Sequence, residues 1–201
     1  MLYTQKSKVN QKVFEDNKNK IASKPYAKYF SGDLFIDDTI IDDLNKGPIS
    51  VNTALKPTPE DLNKLLLPGY LPNETGYCEL EDGTLYVSSL TKFPGCTPEM
   101  FQWWMWWHSV ESERYALWYP HCHCSVRAID QKVLNDNSLS NEEKLIGNKH
   151  IITEYLEGRK NDIRIEFIDP KSVGIDTSKF NEAGIKAHAC GWVNLQKPNA
   201  R

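Results

Sequence analysis

Residues 1–201 predict an α+β fold, with antiparallel strands and separate helices. Two runs alternate apolar and polar side chains over strand length, Ile151-Ile152-Thr153-Glu154-Tyr155-Leu156 and Ile163-Arg164-Ile165-Glu166-Phe167-Ile168. Asp82-Gly83 lies between Tyr77-Cys78-Glu79-Leu80 and Thr84-Leu85-Tyr86-Val87, which signals a hairpin. Thr-Pro-Glu occurs at 58–60 and again at 97–99, and each copy opens a helix. Thr caps, Pro suits the first helical position, and the acid favours the positive end of the helix dipole.

The elements follow in order. Residues 1–47 are polar and lysine-rich, with short apolar groups at 26–30 and 34–36. They read as an N-terminal extension that packs on the domain or on a partner chain. Within it, Asp37–Leu44 predicts a short helix that ends near Gly47-Pro48. Residues 48–201 form the main domain. Its first helix carries Leu62, Leu65, Leu66 and Leu67 and stops at Pro68-Gly69. The second is expected from Pro98 to about Tyr115, with Trp103, Trp107 and Val110 on one side and Trp104, His108, Glu111 and Tyr115 on the next. Pro120 ends any helix before it. Residues 122–129 read as a strand, 134–149 as a polar loop with a short helix near 141–144, and 187–193 as a last strand.

Composition narrows the function classes. There are 24 Lys+Arg against 27 Asp+Glu, a formal net charge of −3, so no broad basic field exists to hold nucleic acid or an acidic membrane. No apolar run reaches the ~20 residues that span a bilayer. The five cysteines include no pair with the two-residue gap of a zinc ribbon. Free thiols and a cytoplasmic setting are the expectation. Gly-rich phosphate loops, nucleophile elbows and dinucleotide fingerprints are absent from the sequence.

The chemistry concentrates in the middle of the chain. Four of the six tryptophans, Trp103, Trp104, Trp106 and Trp107, fall within five residues, and Trp118 follows. That much aromatic area is buried or lines a cavity. His121 and His123 would share one face of a strand, as a pair of metal ligands or as two histidines bonded to backbone. Glu154 shares the face of Ile152 and Leu156, where a carboxylate is costly unless it meets a basic side chain or a metal. Tyr115, Trp118 and Tyr119 read either as an aromatic core or as groups that bind a phenol by hydrogen bonding and ring packing. His108 reads as a structural histidine and His150, beside Lys149, as exposed. His188 is either a general acid/base facing the same cavity or a core histidine.

The run Met100-Phe101-Gln102-Trp103-Trp104-Met105-Trp106-Trp107-His108, continued by Tyr115-Ala116-Leu117-Trp118-Tyr119-Pro120-His121 and His123, resembles the signature of the phloretin hydrolase and diacetylphloroglucinol hydrolase family. Phe167-Ile168-Asp169-Pro170 and Gly174 extend the resemblance, which covers roughly residues 50–195. It implies a zinc-dependent hydrolase that cleaves the C–C bond between an acyl group and a polyhydroxylated aromatic ring. It implies a START-like helix-grip fold, a curved antiparallel sheet around a long helix, and a homodimer formed with help from the N-terminal portion. His123 and Glu154 match the family's metal-binding His and Glu, with Zn2+ as the cofactor. Tyr115 matches its substrate-binding tyrosine. The residues themselves, apart from the resemblance, place Trp118 and His121 as expected substrate contacts and His188 as an expected proton carrier. The family's other metal pair, a His and a Glu one turn apart on a long C-terminal helix, has no counterpart on any helix expected in residues 1–201. Either the chain is truncated or the remaining ligands come from elsewhere, with His121 able to take one position, and the alternative to a hydrolase is a phenol-binding module without turnover or an inactive homologue.

Overall fold

The computed structural model describes residues 2–3 and 7–195. In chain order the regular elements begin with strand β1 (Leu2–Tyr3), helix α1 (Lys8–Ile21), strand β2 (Leu34–Phe35) and helices α2 (Asp38–Asn45) and α3 (Pro59–Leu62). Strands β3 (Gly76–Glu79) and β4 (Leu85–Ser88), helix α4 (Pro98–Trp107) and strand β5 (His123–Ala128) follow. Short helices α5 (Gln131–Asn135) and α6 (Asn141–Leu145) precede strands β6 (Lys149–Leu156), β7 (Arg159–Phe167) and β8 (Gly191–Leu195). The α+β class expected from the sequence is observed. No helix among the described residues is long and apolar enough to cross a membrane.

The chain packs as two units. One comprises residues 35–96 and 169–186. Its hairpin pairs β3 with β4 antiparallel, from Gly76 opposite Ser88 to Glu79 opposite Leu85. Gly83 supplies the positive φ (83°) of the turn, and the Thr84 amide donates to Asp82 Oδ1 at 2.9 Å. Cys78 and Leu80 pack on Ala54, with Ile49 and Tyr86 around them. Thr58 caps α3 by accepting from the Asp61 amide, as its sequence position predicts.

The other unit comprises residues 2–34, 97–168 and 187–195 among those described. Its centre is a four-stranded antiparallel sheet in the order β5-β6-β7-β8. Residues paired across strands share a face. Val126 lies opposite Ile152, which lies opposite Ile163, and these three bury together under Tyr115. Further along the strands, Phe167 packs with Met105 and Leu145. The β6–β7 turn has positive φ at Glu157 (48°) and Gly158 (78°), the geometry of a two-residue hairpin turn.

Two expectations need correction. Helix α4 ends at Trp107, not near Tyr115, because the side chains of His108 and Ser109 turn back and bond the carbonyls of Trp104 and Trp106. Glu111 is then extended, and Ser112–Leu117 forms a 3₁₀ turn that carries Tyr115. The last strand starts at Gly191, so His188 precedes it. The polar N-terminal segment contains α1, capped by Ser7 and buried along Asn10, Val13, Asn17 and Ile21. It packs with the sheet unit, where Ile21 joins Tyr26 and Ala116 in a cluster.

Candidate active site

His123 and Glu154 lie directly opposite one another on β5 and β6. Regular alternation would put His123 on the face of Ser125 and Arg127, away from Val126. The register prevents this, since His123 pairs with Glu154 while Ser125 pairs with the adjacent Thr153. Cys124 is the extra residue of a β-bulge, and it turns His123 onto the face of Val126, Ile152 and Glu154.

His123 Nε2 lies 3.7 Å from Glu154 Oε2, and each side chain is only 12% exposed. Burial pushes the His123 pKa down to about 4, so the ring is neutral near pH 7. Its Nδ1 is 3.3 Å from the Tyr115 carbonyl. A carbonyl only accepts, so Nδ1 carries the proton and Nε2 presents a bare lone pair toward the carboxylate. Two acceptors facing each other in a buried place are unfavourable unless something positive lies between them. Two donors held ~2.1 Å from a tetrahedral zinc stand ~3.4 Å apart, close to the separation here. The pair therefore fits one edge of such a site. No third His, Cys, Asp or Glu among the described residues joins them in a group able to hold a metal.

Tyr115 ties the pair together. Its hydroxyl donates to Glu154 Oε2 at 3.1 Å. Its ring stacks on His123 with centroids 3.8 Å apart and planes 3° apart. Burial, and then the Glu154 charge, push the phenol pKa well above its ordinary value, so Tyr115 remains a hydrogen-bond donor. The stack continues to His108 at 5.7 Å and from there to Trp104 at 5.5 Å, giving a column of four near-parallel rings. Trp118 stands edge-on beside it, 5.7 Å from His123 and 6.2 Å from His108, and is 53% exposed. Tyr119 meets His123 edge-on from another side at 5.7 Å.

Of the residues singled out in the sequence, Tyr115, Trp118, His123 and Glu154 come together. His121 does not share the strand face of His123, because β5 begins at His123 and His121 lies in the turn before it. Its ring stacks on Phe14 at 4.6 Å, and Nε2 lies 3.4 Å from the Gly32 carbonyl. His188 sits ahead of β8 with Nε2 3.4 Å from Glu142 Oε1. His150, read as exposed, is fully buried, and neither ring nitrogen has a hydrogen-bond partner. It lies edge-on to His108 at 5.9 Å and to Phe167 at 4.8 Å, and burial pushes its pKa down to about 3. The signal for it was present: His150, Ile152 and Glu154 are spaced by two on one strand and so share a face.

Comparison with known proteins identifies the family. The DAPG hydrolase PhiG domain description matches residues 55–201. The chain is 39% identical over 185 residues to a 2,4-diacetylphloroglucinol hydrolase of Pseudomonas protegens, an alignment covering 92% of this chain and 60% of the relative. It is 32% identical over 169 residues to a phloretin hydrolase of Eubacterium ramulus, covering 82% of this chain and 61% of that one. The chain thus spans about 60% of the length of these curated relatives. The match over residues 55–201 spans both strands that carry His123 and Glu154, and by it the chain belongs to the DAPG hydrolase PhiG domain family.

Proposed function

We propose that this chain is a zinc-dependent hydrolase that cleaves the C–C bond between an acyl group and a polyhydroxylated aromatic ring. The observation that carries the proposal is the buried confrontation of His123 Nε2 with Glu154 Oε2, 3.7 Å apart, which calls for a cation between them. The names of the relatives supply the substrate type. A four-stranded antiparallel sheet with one apolar face is compatible with the helix-grip architecture that the resemblance implies.

His123 and Glu154 would hold the metal, whose contribution when bound is Lewis-acid polarisation of the acyl carbonyl. The remaining work falls to side chains of this chain. Tyr115 offers its phenol at Glu154, where it can orient a ring hydroxyl of the substrate. The half-exposed Trp118 gives the aromatic ring a flat apolar surface at the edge of the site. In the reaction a phenolic ring takes its keto form with a proton on the acyl-bearing carbon. Water adds to the acyl carbonyl, and the C–C bond breaks with its electron pair passing to the ring. One water is consumed, and a carboxylic acid and the deacylated phenol leave.

The test is metal analysis and turnover of the purified chain and its variants. Zinc near one per chain, with acid and phenol released from phloretin or an acylphloroglucinol, is the expected result. Zinc content should fall in both His123→Ala and Glu154→Ala, and unchanged zinc in both would refute the assignment. A ligand-induced change in tryptophan fluorescence without turnover would instead mark a phenol-binding module.

A further inference from the structure

We infer that helix α1 is part of the machinery that sets the His123–Glu154 pair, with Asn10 and Asn17 as its positioning residues. The inference rests on the functional reading above. It extends that reading to a helix which precedes residues 55–201, the span of the family match.

Asn10 and Asn17 lie seven residues apart, two helical turns, and so share a face. They are 0% and 2% exposed. Each amide spends both of its N–H groups on main-chain carbonyls of the site-bearing segments. Asn17 Nδ2 donates to the carbonyl of Pro120 at 2.9 Å and to that of His123 itself at 2.8 Å. Asn10 Nδ2 donates to His121 O at 2.8 Å and to Tyr155 O, the residue after Glu154, at 2.8 Å. Asn10 Oδ1 accepts from the Gly158 amide at 2.8 Å, which ties in the β6–β7 turn. One helix face thus grips the backbone beside both halves of the pair.

The need for this grip follows from the bulge. An extra residue at Cys124 shifts the register at the start of β5, where backbone groups leave the regular ladder and need other partners. Packing alone would be served by leucine or alanine on the inner face of α1. Asparagine is a weaker helix former than either and is costly to bury unless its amide is satisfied. Here every amide hydrogen of both residues has an acceptor, and each acceptor flanks the pair or the turn leading into it. Neither asparagine contacts the imidazole or the carboxylate, so each acts through the main chain.

The experiment measures zinc affinity of the whole chain by competition with a chromogenic chelator, for the wild type, Asn17→Leu, Asn10→Leu and Val13→Ala. Val13 is buried on the same helix face and reports the effect of lost packing alone. Asn17→Leu is expected to weaken zinc binding about tenfold, the lower end for residues that orient a metal ligand indirectly. Val13→Ala is expected to lower the unfolding midpoint while leaving affinity unchanged. Equal affinity in wild type and Asn17→Leu, or equal weakening in Val13→Ala at matched loss of stability, overturns the inference. If Asn17→Leu does not fold, Asn17→Ser, which keeps one donor, is compared in the same way. A second readout is independent of zinc: long-range 1H–15N NMR of the His123 ring. If the wild type binds no zinc, the hydrolase reading fails. The inference then stands if Asn17→Leu disturbs the Nδ1-protonated tautomer of His123, and falls if the tautomer is unaltered.

Discussion

Replacing His150 with leucine should stabilise the protein, and by an amount that grows as the solution is acidified. The side chain is fully buried and both ring nitrogens lack partners. An unmet buried polar group costs about 1–3 kcal/mol, so an apolar residue of similar size should recover roughly that much at pH 8. The groups facing His150 are the His108 and Phe167 rings and the cross-strand residues Ala128 and Ile165, none of which is anionic. Burial holds the folded pKa at about 3 against 6.5 for the free group. The unfolded chain therefore gains a proton that the folded chain refuses. Stability from this group is complete above pH 6.5 and is lost as pH falls from there toward about 3. At pH 5 the loss amounts to about 2 kcal/mol, from ~1.4 kcal/mol per pH unit. His150→Leu removes that loss, while His108 and His123, whose pKa values burial also lowers, keep theirs. The assay is urea unfolding of both proteins at pH 8 and pH 5 with a chelator present throughout, so that metal binding adds nothing. A variant no more stable than wild type at pH 8, with a gap that fails to widen at pH 5, would refute the claim that His150 is an unpartnered neutral imidazole.

Tyr115→Phe keeps the ring that stacks on His123 but loses the hydroxyl that meets Glu154. Stability should fall by about 1.5–3 kcal/mol, because a buried charged acceptor loses its donor, while calorimetry should show phenol affinity reduced about tenfold. Deleting Cys124 removes the bulge and restores regular alternation, which keeps His123 opposite Glu154 and on the face of Val126. Zinc content should then stay at that of the wild type, with the β signal in circular dichroism retained, and a drop to that of His123→Ala would count against this register. Glu157 holds a positive φ of 48° in a two-residue hairpin turn. Asparagine is better suited there, so Glu157→Asn should raise the urea midpoint by the equivalent of about 0.5 kcal/mol with activity unchanged.

The strands, the hairpin and the two Thr-Pro-Glu helix starts were legible because each has a local physical cause. Glu154 was legible for the same reason, as a carboxylate on the face of Ile152. What stayed hidden depends on contacts between distant segments. Helix α1 buries Asn, Val, Asn and Ile, and the two asparagines disguise its inner face as polar. Their acceptors lie more than a hundred residues away and cannot be inferred from local pattern. His121 and His123 look alike by alternation, but alternation presumes a strand without a bulge and one that has already begun. His150 was masked by Lys149 and by its polar approach, although its spacing from Ile152 and Glu154 placed it inside.

The nature of the His123–Glu154 contact decides how much chemistry the site can do. Were it an ordinary ion pair, the imidazole would be protonated and the nitrogen and oxygen would close to ~2.7–2.9 Å. The observed 3.7 Å is too long for that, and burial pushes the imidazole toward its neutral form. A neutral ring has one N–H, and the Tyr115 carbonyl is beside Nδ1 to receive it. Reversing the tautomer would aim a lone pair at that carbonyl, so one acceptor–acceptor contact remains in either case. The Tyr115 hydroxyl relieves Glu154 in part by donating to Oε2 at 3.1 Å. A cation would remove the conflict for both partners at once, and the bulge, the ring stack and the asparagine hydrogen bonds each hold the two donors in their present places.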